Sequence, residues 1–148
     1  MTTETGSATD EAQIRALTDD WAKALRAKDI NRLMASYAPD VLTFDVVNPL
    51  QRKGLAAARK RAEEWISSWQ GPIECEIREL TIITGDDVAF SHNLSRFRGK
   101  KMDGGDIDMW IRATLCYRKI DGRWNVTHEH VSVPFDPESG QASLDLKP

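Results

Sequence analysis

Apolar residues recur at helical spacing through the first half of the chain and at alternate positions through the second. Ile14, Leu17, Trp21, Ala24 and Leu25 fall on one face of a 3.6-residue period, which predicts an amphipathic helix. Asp10 stands where an N-cap belongs, with Gln13 three residues on in the position of a capping box. Lys28-Asp29 interrupts the pattern. Asp29 is placed to cap a short second helix carrying Ile30, Leu33, Met34 and Tyr37, which Pro39 ends. Residues 41–47 alternate and are rich in β-branched side chains, predicting a strand that Asn48-Pro49 stops. After Gly54 a third helix carries Leu55, Ala58, Ala62, Trp65, Ile66 and Trp69 on one stripe, with Gly71-Pro72 as its end.

The second half reads as an antiparallel meander. Residues 73–83 are strand-like, but their apolar phase slips between Ile77 and Leu80, which predicts a bulge near Arg78-Glu79. Gly85-Asp86-Asp87 marks a turn, residues 88–98 the next strand, and residues 99–106 a polar, Gly-rich loop. Residues 107–120 form a long strand, Asp121-Gly122 a hairpin turn, and residues 124–133 the last strand. Helices first and strands later give an α+β fold, with helices packed on one face of a curved sheet. A chain of 148 residues holds one such domain, expected over residues 10–134, with polar tails at 1–9 and 135–148.

The last strand carries the chemistry. Strict alternation puts Trp124, Val126, His128, His130 and Ser132 on one face. On the preceding strand Trp110, Arg112, Thr114 and Cys116 share one face, and Met109, Ile111, Ala113, Leu115 and Tyr117 the other. A two-residue hairpin loop pairs Lys119 with Trp124 and mixes polar and apolar faces. A three-residue loop pairs Lys119 with Arg123, setting Arg112 opposite His130 and Thr114 opposite His128. The second register is preferred, because it gathers Trp110, Arg112, His128 and His130 on one concave polar-aromatic face. An arginine buried there needs an anionic partner, and Asp45, late in the first strand, is a candidate. His128 and His130 can change protonation near neutral pH and so can move protons. His92 is placed to join them. A metal held by His128, His130, His92 and Asp45 is the weaker reading, and no metal or cofactor is assigned.

Composition narrows the field. Twenty basic against 23 acidic residues, a net charge of -3, exclude nucleic-acid binding driven by bulk charge. No apolar run approaches the roughly 20 residues of a membrane span. The polar N-terminus has no apolar signal core, and Cys75 and Cys116 form no disulfide or metal pattern, so a cytoplasmic protein is expected. Five tryptophans, against two tyrosines and four phenylalanines, are an unusual way to fill so small a core. Trp21 and Trp110 are expected to touch a ligand, and Trp65, Trp69 and Trp124 to serve packing.

Several segments together resemble a known group. Trp21-Ala-Lys-Ala-Leu-Arg-Ala-Lys-Asp29, Leu33 to Tyr37, Val41-Leu-Thr-Phe-Asp45, Gly54 opening a helix, and the ending Asp121-Gly-Arg-Trp124 to His128-Glu-His130-Val-Ser132 resemble the SnoaL-like branch of the nuclear transport factor 2 superfamily. The ending is also similar to that of the association domain of calcium/calmodulin-dependent kinase II. The resemblance implies a cone-shaped, cystatin-like α+β barrel, its curved sheet wrapped around three N-terminal helices, with a pocket between sheet and helices. It also implies a homodimer through the outer sheet face, which the apolar Met109, Ile111, Leu115 and Tyr117 would suit. Asp45 matches the place of the ketosteroid isomerase base, whereas Trp21 stands where that enzyme's helical tyrosine would be and Thr114 where its second acid would be. Asp45 with His128 and His92 is a looser parallel to the dehydratases. The expectation is a protein that binds a small hydrophobic carbonyl compound and performs isomerase, cyclase or dehydratase-type proton transfer. Asp45 or His128 would move the proton, Arg112 and His130 would stabilise the oxyanion, and Trp21, Tyr37, His92 and Trp110 would hold the substrate. The alternative is a non-catalytic binding or association module, its pocket holding a small carboxylate on Arg112.

Overall fold

A computed structural model describes residues 3–148, with side chains from residue 8 onward. The order is α1 (Thr3–Ala27), α2 (Ile30–Met34), β1 (Tyr37–Phe44), β2 (Arg52–Lys53), α3 (Leu55–Ser67), β3 (Trp69–Thr84), β4 (Val88–Lys101), β5 (Asp106–Ile120) and β6 (Arg123–Ser132). The strands form one six-stranded mixed sheet in the order β2-β1-β6-β5-β4-β3, curved but not closed. Among the described residues β1 and β6 form the one parallel pair. The helices pack against one face of the sheet, so the fold is α+β as expected.

The helix α1 buries Ile14, Ala24 and Leu25 completely, the stripe its spacing predicts. It starts at Thr3 rather than at Asp10, and residues 1 and 2 of the expected N-terminal tail lie outside the described residues. Asp10 therefore caps nothing. Its carboxylate instead takes the Trp124 indole N–H at 3.1 Å and the Lys119 ammonium at 2.8 Å, tying the helix to the β5–β6 hairpin. α1 ends where Lys28-Asp29 predicts. Lys28 takes a left-handed φ of 55°, Asp29 N–H bonds back to Ala24 O and Lys28 N–H to Leu25 O. Asp29 then caps α2 by accepting from Arg32 N–H at 3.1 Å.

The first strand ends at Phe44 rather than at residue 47, so Asp45 lies just beyond it, and two helix–strand boundaries also differ from the expectation. Tyr37 and Pro39 belong to β1, not to α2. A residue before proline avoids helical geometry, and Pro39 sits where the β1–β6 pairing jumps from Tyr37 to Leu42, so its missing N–H breaks no ladder bond. Trp69 and Gly71-Pro72 belong to β3, because α3 ends at Ser67 and the pairing of β3 with β4 skips from Gln70 to Glu74. Trp69 packs over Gly99, where a Cβ would lie 3.0 Å from the indole ring. The expected bulge at Arg78-Glu79 is present: pairing shifts between Arg78 and Thr81, and Glu79 has φ 55°. Beyond β6, residues 135–148 are irregular apart from one Phe135–Ala142 bridge.

The β5–β6 register decides where the chemistry lies. The hairpin loop has two residues, pairing Ile120 with Arg123 and Lys119 with Trp124, which is not the preferred register. Between Tyr117↔Val126 and Cys116↔His128 the strand β6 carries one extra residue, Thr127. That bulge reverses the phase of alternation. Val126 faces the helices, and after Thr127 it is Glu129 and Val131, not His128 and His130, that face them. Arg112 pairs with Ser132, Thr114 with His130 and Cys116 with His128, so these side chains do share a face. It is the convex face. The apolar set Met109, Ile111, Leu115 and Tyr117, expected outside, lines the interior.

Candidate functional site

A cavity of about 200 Å³ lies between the concave sheet and the helices. α1 contributes Trp21, α2 Leu33 and Met34, and α3 Ala58, Arg61, Ala62 and Trp65; β5 supplies Ile107, Met109 and Ile111. β6 brings Glu129 and Val131, and Lys101 closes the end of β4. A smaller lobe of about 60 Å³ shares Trp21, Tyr37, Phe97, Ile111, Glu129 and Val131 with it and adds Asn93, Ser95 and Tyr117. The walls are largely apolar with a few polar groups, the usual composition of a small-molecule site. An apolar cavity of roughly 150 Å³ suffices for benzene, so this one suits a single substituted ring.

Glu129 sits where the two lobes meet. It is partly buried and accepts a 2.8 Å hydrogen bond from the Tyr37 hydroxyl. Loss of water raises its carboxyl above the ordinary glutamate range; the Tyr37 bond pulls against this, and the nearby charge of Asp45 adds to it. Burial, and then the charge of Glu129, push the Tyr37 phenol well above its ordinary range, so Tyr37 stays a donor. Ser91 and the Tyr117 hydroxyl lie 2.8 Å apart, and Ser95 donates to the Asn93 amide oxygen at 2.5 Å. These polar groups project inward from the alternating Ser91, Asn93 and Ser95 of β4, all three buried.

A group of cations lines the α3 side of the cavity. Asp45 accepts from Arg61 Nε at 2.9 Å and from Arg52 at 3.3 Å, while its second oxygen caps Val46 N–H at 2.6 Å. One carboxylate thus faces two guanidinium groups. Lys101 donates to the Ser68 hydroxyl at 2.8 Å, and its ammonium lies 4.1 Å from the centre of the Trp69 ring. Burial, followed by the charge of Arg61, holds it below the ordinary lysine range. Among the described residues no carboxylate lies within ion-pair distance of Lys101, and the buried Trp69 indole N–H has no acceptor.

Of the residues singled out from sequence, Trp21, Tyr37 and Asp45 line the cavity. His92, Trp110, Arg112, His128 and His130 do not: the apolar side of β5 turns to the helices and leaves Trp110, Arg112 and the paired His92 on the convex face, and the Thr127 bulge sends His128 and His130 to the same face. Arg112 is exposed and donates to Ser132 at 3.1 Å, and Trp110 lies under Arg78 and Arg96 at 5.0 and 5.8 Å. His128 donates from Nδ1 to Leu42 O at 2.7 Å and packs edge-on against Phe44, whose ring also meets His130. Trp65 and Trp69 pack in the core as expected and also line the cavity. Glu129 was missed, yet the chain carried a signal for it. Apolar residues fall at 124 and 126 and then at 131 and 133, a phase slip like the one that locates the bulge in β3.

The model of the SnoaL-like domain family matches residues 14–136. The chain belongs to this family. A solved structure of an NTF2-like protein of unknown function from Pseudomonas putida KT2440 is 38% identical, with 96% of this chain and 99% of that one covered and a TM-score of 0.88. A candidate calcium/calmodulin-dependent protein kinase II association domain from Xanthomonas campestris is 25% identical over 84% of this chain and 86% of its own, with a TM-score of 0.71. A candidate scytalone dehydratase from Novosphingobium aromaticivorans DSM 12444 shares the fold at 16% identity, covering 88% and 87% with a TM-score of 0.77. No curated protein matches the chain. This SnoaL-like protein has the NTF2-like α+β architecture, and no helix among its described residues is long and apolar enough to cross a membrane.

Proposed function

We propose that the cavity binds a small, largely apolar carbonyl compound and that Glu129 moves a proton on it, as an isomerase, cyclase or dehydratase would. The observation that carries this reading is a carboxyl group raised above its ordinary range inside an apolar cavity and aimed by a buried tyrosine. Groups poised in this way are effective bases at neutral pH. Glu129 would take a proton from the carbon next to the carbonyl; the C–H electron pair forms the C=C bond of the enolate and the C=O π pair moves onto the oxygen. The Tyr117 hydroxyl and the Asn93 amide are donors available to that oxygen. Asp45, expected from sequence as the base, is engaged by two arginines and holds the charged end of the site together.

The test is exchange of the protons next to the carbonyl of 3-benzoylpropionate in D2O, followed by NMR. Exchange faster than in buffer alone, saturating with probe, supports the reading. Binding of the probe without exchange would leave a binding module. Tyr37→Phe removes the hydrogen bond that holds the Glu129 carboxyl down, so its pKa should rise further. The pH–rate profile is then expected to move to higher pH, with less activity on its acid side. An unmoved profile would separate Tyr37 from the titrating group.

We further propose a homodimer through the convex sheet face. The likeness to an association domain supports it, as do Ile83, Val88 and Phe90, which that face leaves 51%, 53% and 43% exposed. Sedimentation velocity is expected to give twice the 16.7 kDa chain mass; a monomer at micromolar concentration would sink this reading.

A further inference from the structure

The cavity wall carries charge of both signs: Glu129, bonded by Tyr37, and the cations Arg61 and Lys101. Asp45 is shared between Arg61 and Arg52, and Lys101 bonds a hydroxyl and lies over an indole face, with the charges of Arg61 and Asp103 nearby but no carboxylate in ion-pair contact among the described residues. Three cations, Arg52, Arg61 and Lys101, therefore stand at the α3 side with one carboxylate in ion-pair contact, Asp45, and the charge of Asp103 near Lys101; the adjoining Trp69 N–H also lacks an acceptor. Such a wall is short of negative charge and of acceptors. Partly buried cations are stabilised by a paired anion, and a ligand is the species that could bring one.

We propose that the molecule filling this cavity carries a carboxylate, seated between Arg61 and Lys101, and presents its carbonyl-bearing end to Glu129. This rests on the reading of the cavity as a small-molecule site and narrows the ligand to small aromatic or alicyclic keto acids. The anion is held at the mouth by Arg61 as a fork and by Lys101 as a point charge. The apolar ring lies against Trp21, Trp65 and Met109. Repulsion from Glu129 keeps the carboxylate from entering the other way round.

The experiment compares 3-benzoylpropionate with its primary amide by calorimetry on the full-length protein. The two differ in charge and hardly in size. The acid is expected to bind at least tenfold more tightly than the amide, and its affinity to fall as salt rises. In Lys101→Gln, which leaves a long polar side chain near Ser68, the acid should lose at least tenfold and the amide little. A circular dichroism melt of the variant shows that it is folded. Equal binding of acid and amide to the wild type would overturn the carboxylate inference while the small-molecule reading stands. The same follows if the Lys101→Gln variant keeps full affinity for the acid. Binding of neither probe would overturn both.

Discussion

Replacing Glu129 by glutamine is expected to slow proton exchange on 3-benzoylpropionate by roughly 10²–10⁴-fold, the usual range for loss of a general base. Glutamine keeps the size and can still accept from Tyr37, so binding of the probe should change little. The variant separates the chemical step from the binding step, and a rate within a few-fold of wild type would remove Glu129 from the reaction. Stability supplies a second readout. The Glu129 carboxyl is raised in the folded protein, so the folded state holds its proton more tightly than the unfolded one. Its contribution is therefore fully present below the ordinary glutamate range and is lost as pH rises through the folded-state value. The slope is at most about 1.4 kcal/mol per pH unit for one group. The glutamine variant is free of this loss. It should melt higher than the wild type above that window and lose this advantage below it. A gap that stays constant with pH would mean that Glu129 is not the group responsible.

Trp124→Ala is expected to cost about 3–5 kcal/mol of stability, the range for removing a large aromatic side chain from a core. Trp124 is 4% exposed, and its indole N–H reaches back to Asp10 on α1. Lys119 stacks 5.2 Å from the ring and binds the same carboxylate. Truncation leaves a void beneath the hairpin and removes one donor from Asp10. At roughly 2–4 °C per kcal/mol for a domain of this size, the melting point should drop by about 10 °C. Trp124→Phe keeps most of the volume and loses the indole hydrogen bond, so it should cost about 1 kcal/mol. If the two variants melted together, the hydrogen bond rather than the packing would be what holds this corner.

Most of the elements were legible because each rests on local physics. Ile14, Leu17, Trp21, Ala24 and Leu25 have helical spacing wherever they occur, Asp29 caps by bonding a residue three positions on, and Glu79 marks a bulge because the apolar phase slips around it. Tyr37 and Trp69 were misplaced because each continues the stripe of the preceding helix. Only the pairing of β1 with β6, and of β3 with β4, draws them into the sheet.

The site was legible in part. Trp21 follows from its place on the first helix and Asp45 from the end of the first strand, while Tyr37, expected on the second helix, reaches the same cavity from β1. The choice between Glu129 and its neighbours His128 and His130 was not open to strict alternation. Strand side chains repeat every two residues, so the single extra residue Thr127 exchanges the two faces for everything after it. The sequence by itself determined which residues alternate together within an unbroken stretch of strand, Trp110 with Arg112 and His128 with His130; that the two pairs share one face came from the two-residue loop combined with the Thr127 bulge. Whether that face looks into the cavity or outward was decided only by tertiary structure. The helices cover the side on which Ile111, Tyr117, Val126 and Val131 offer the greater apolar area. Glu129 goes inside with them, out of water, and its raised pKa follows from that position.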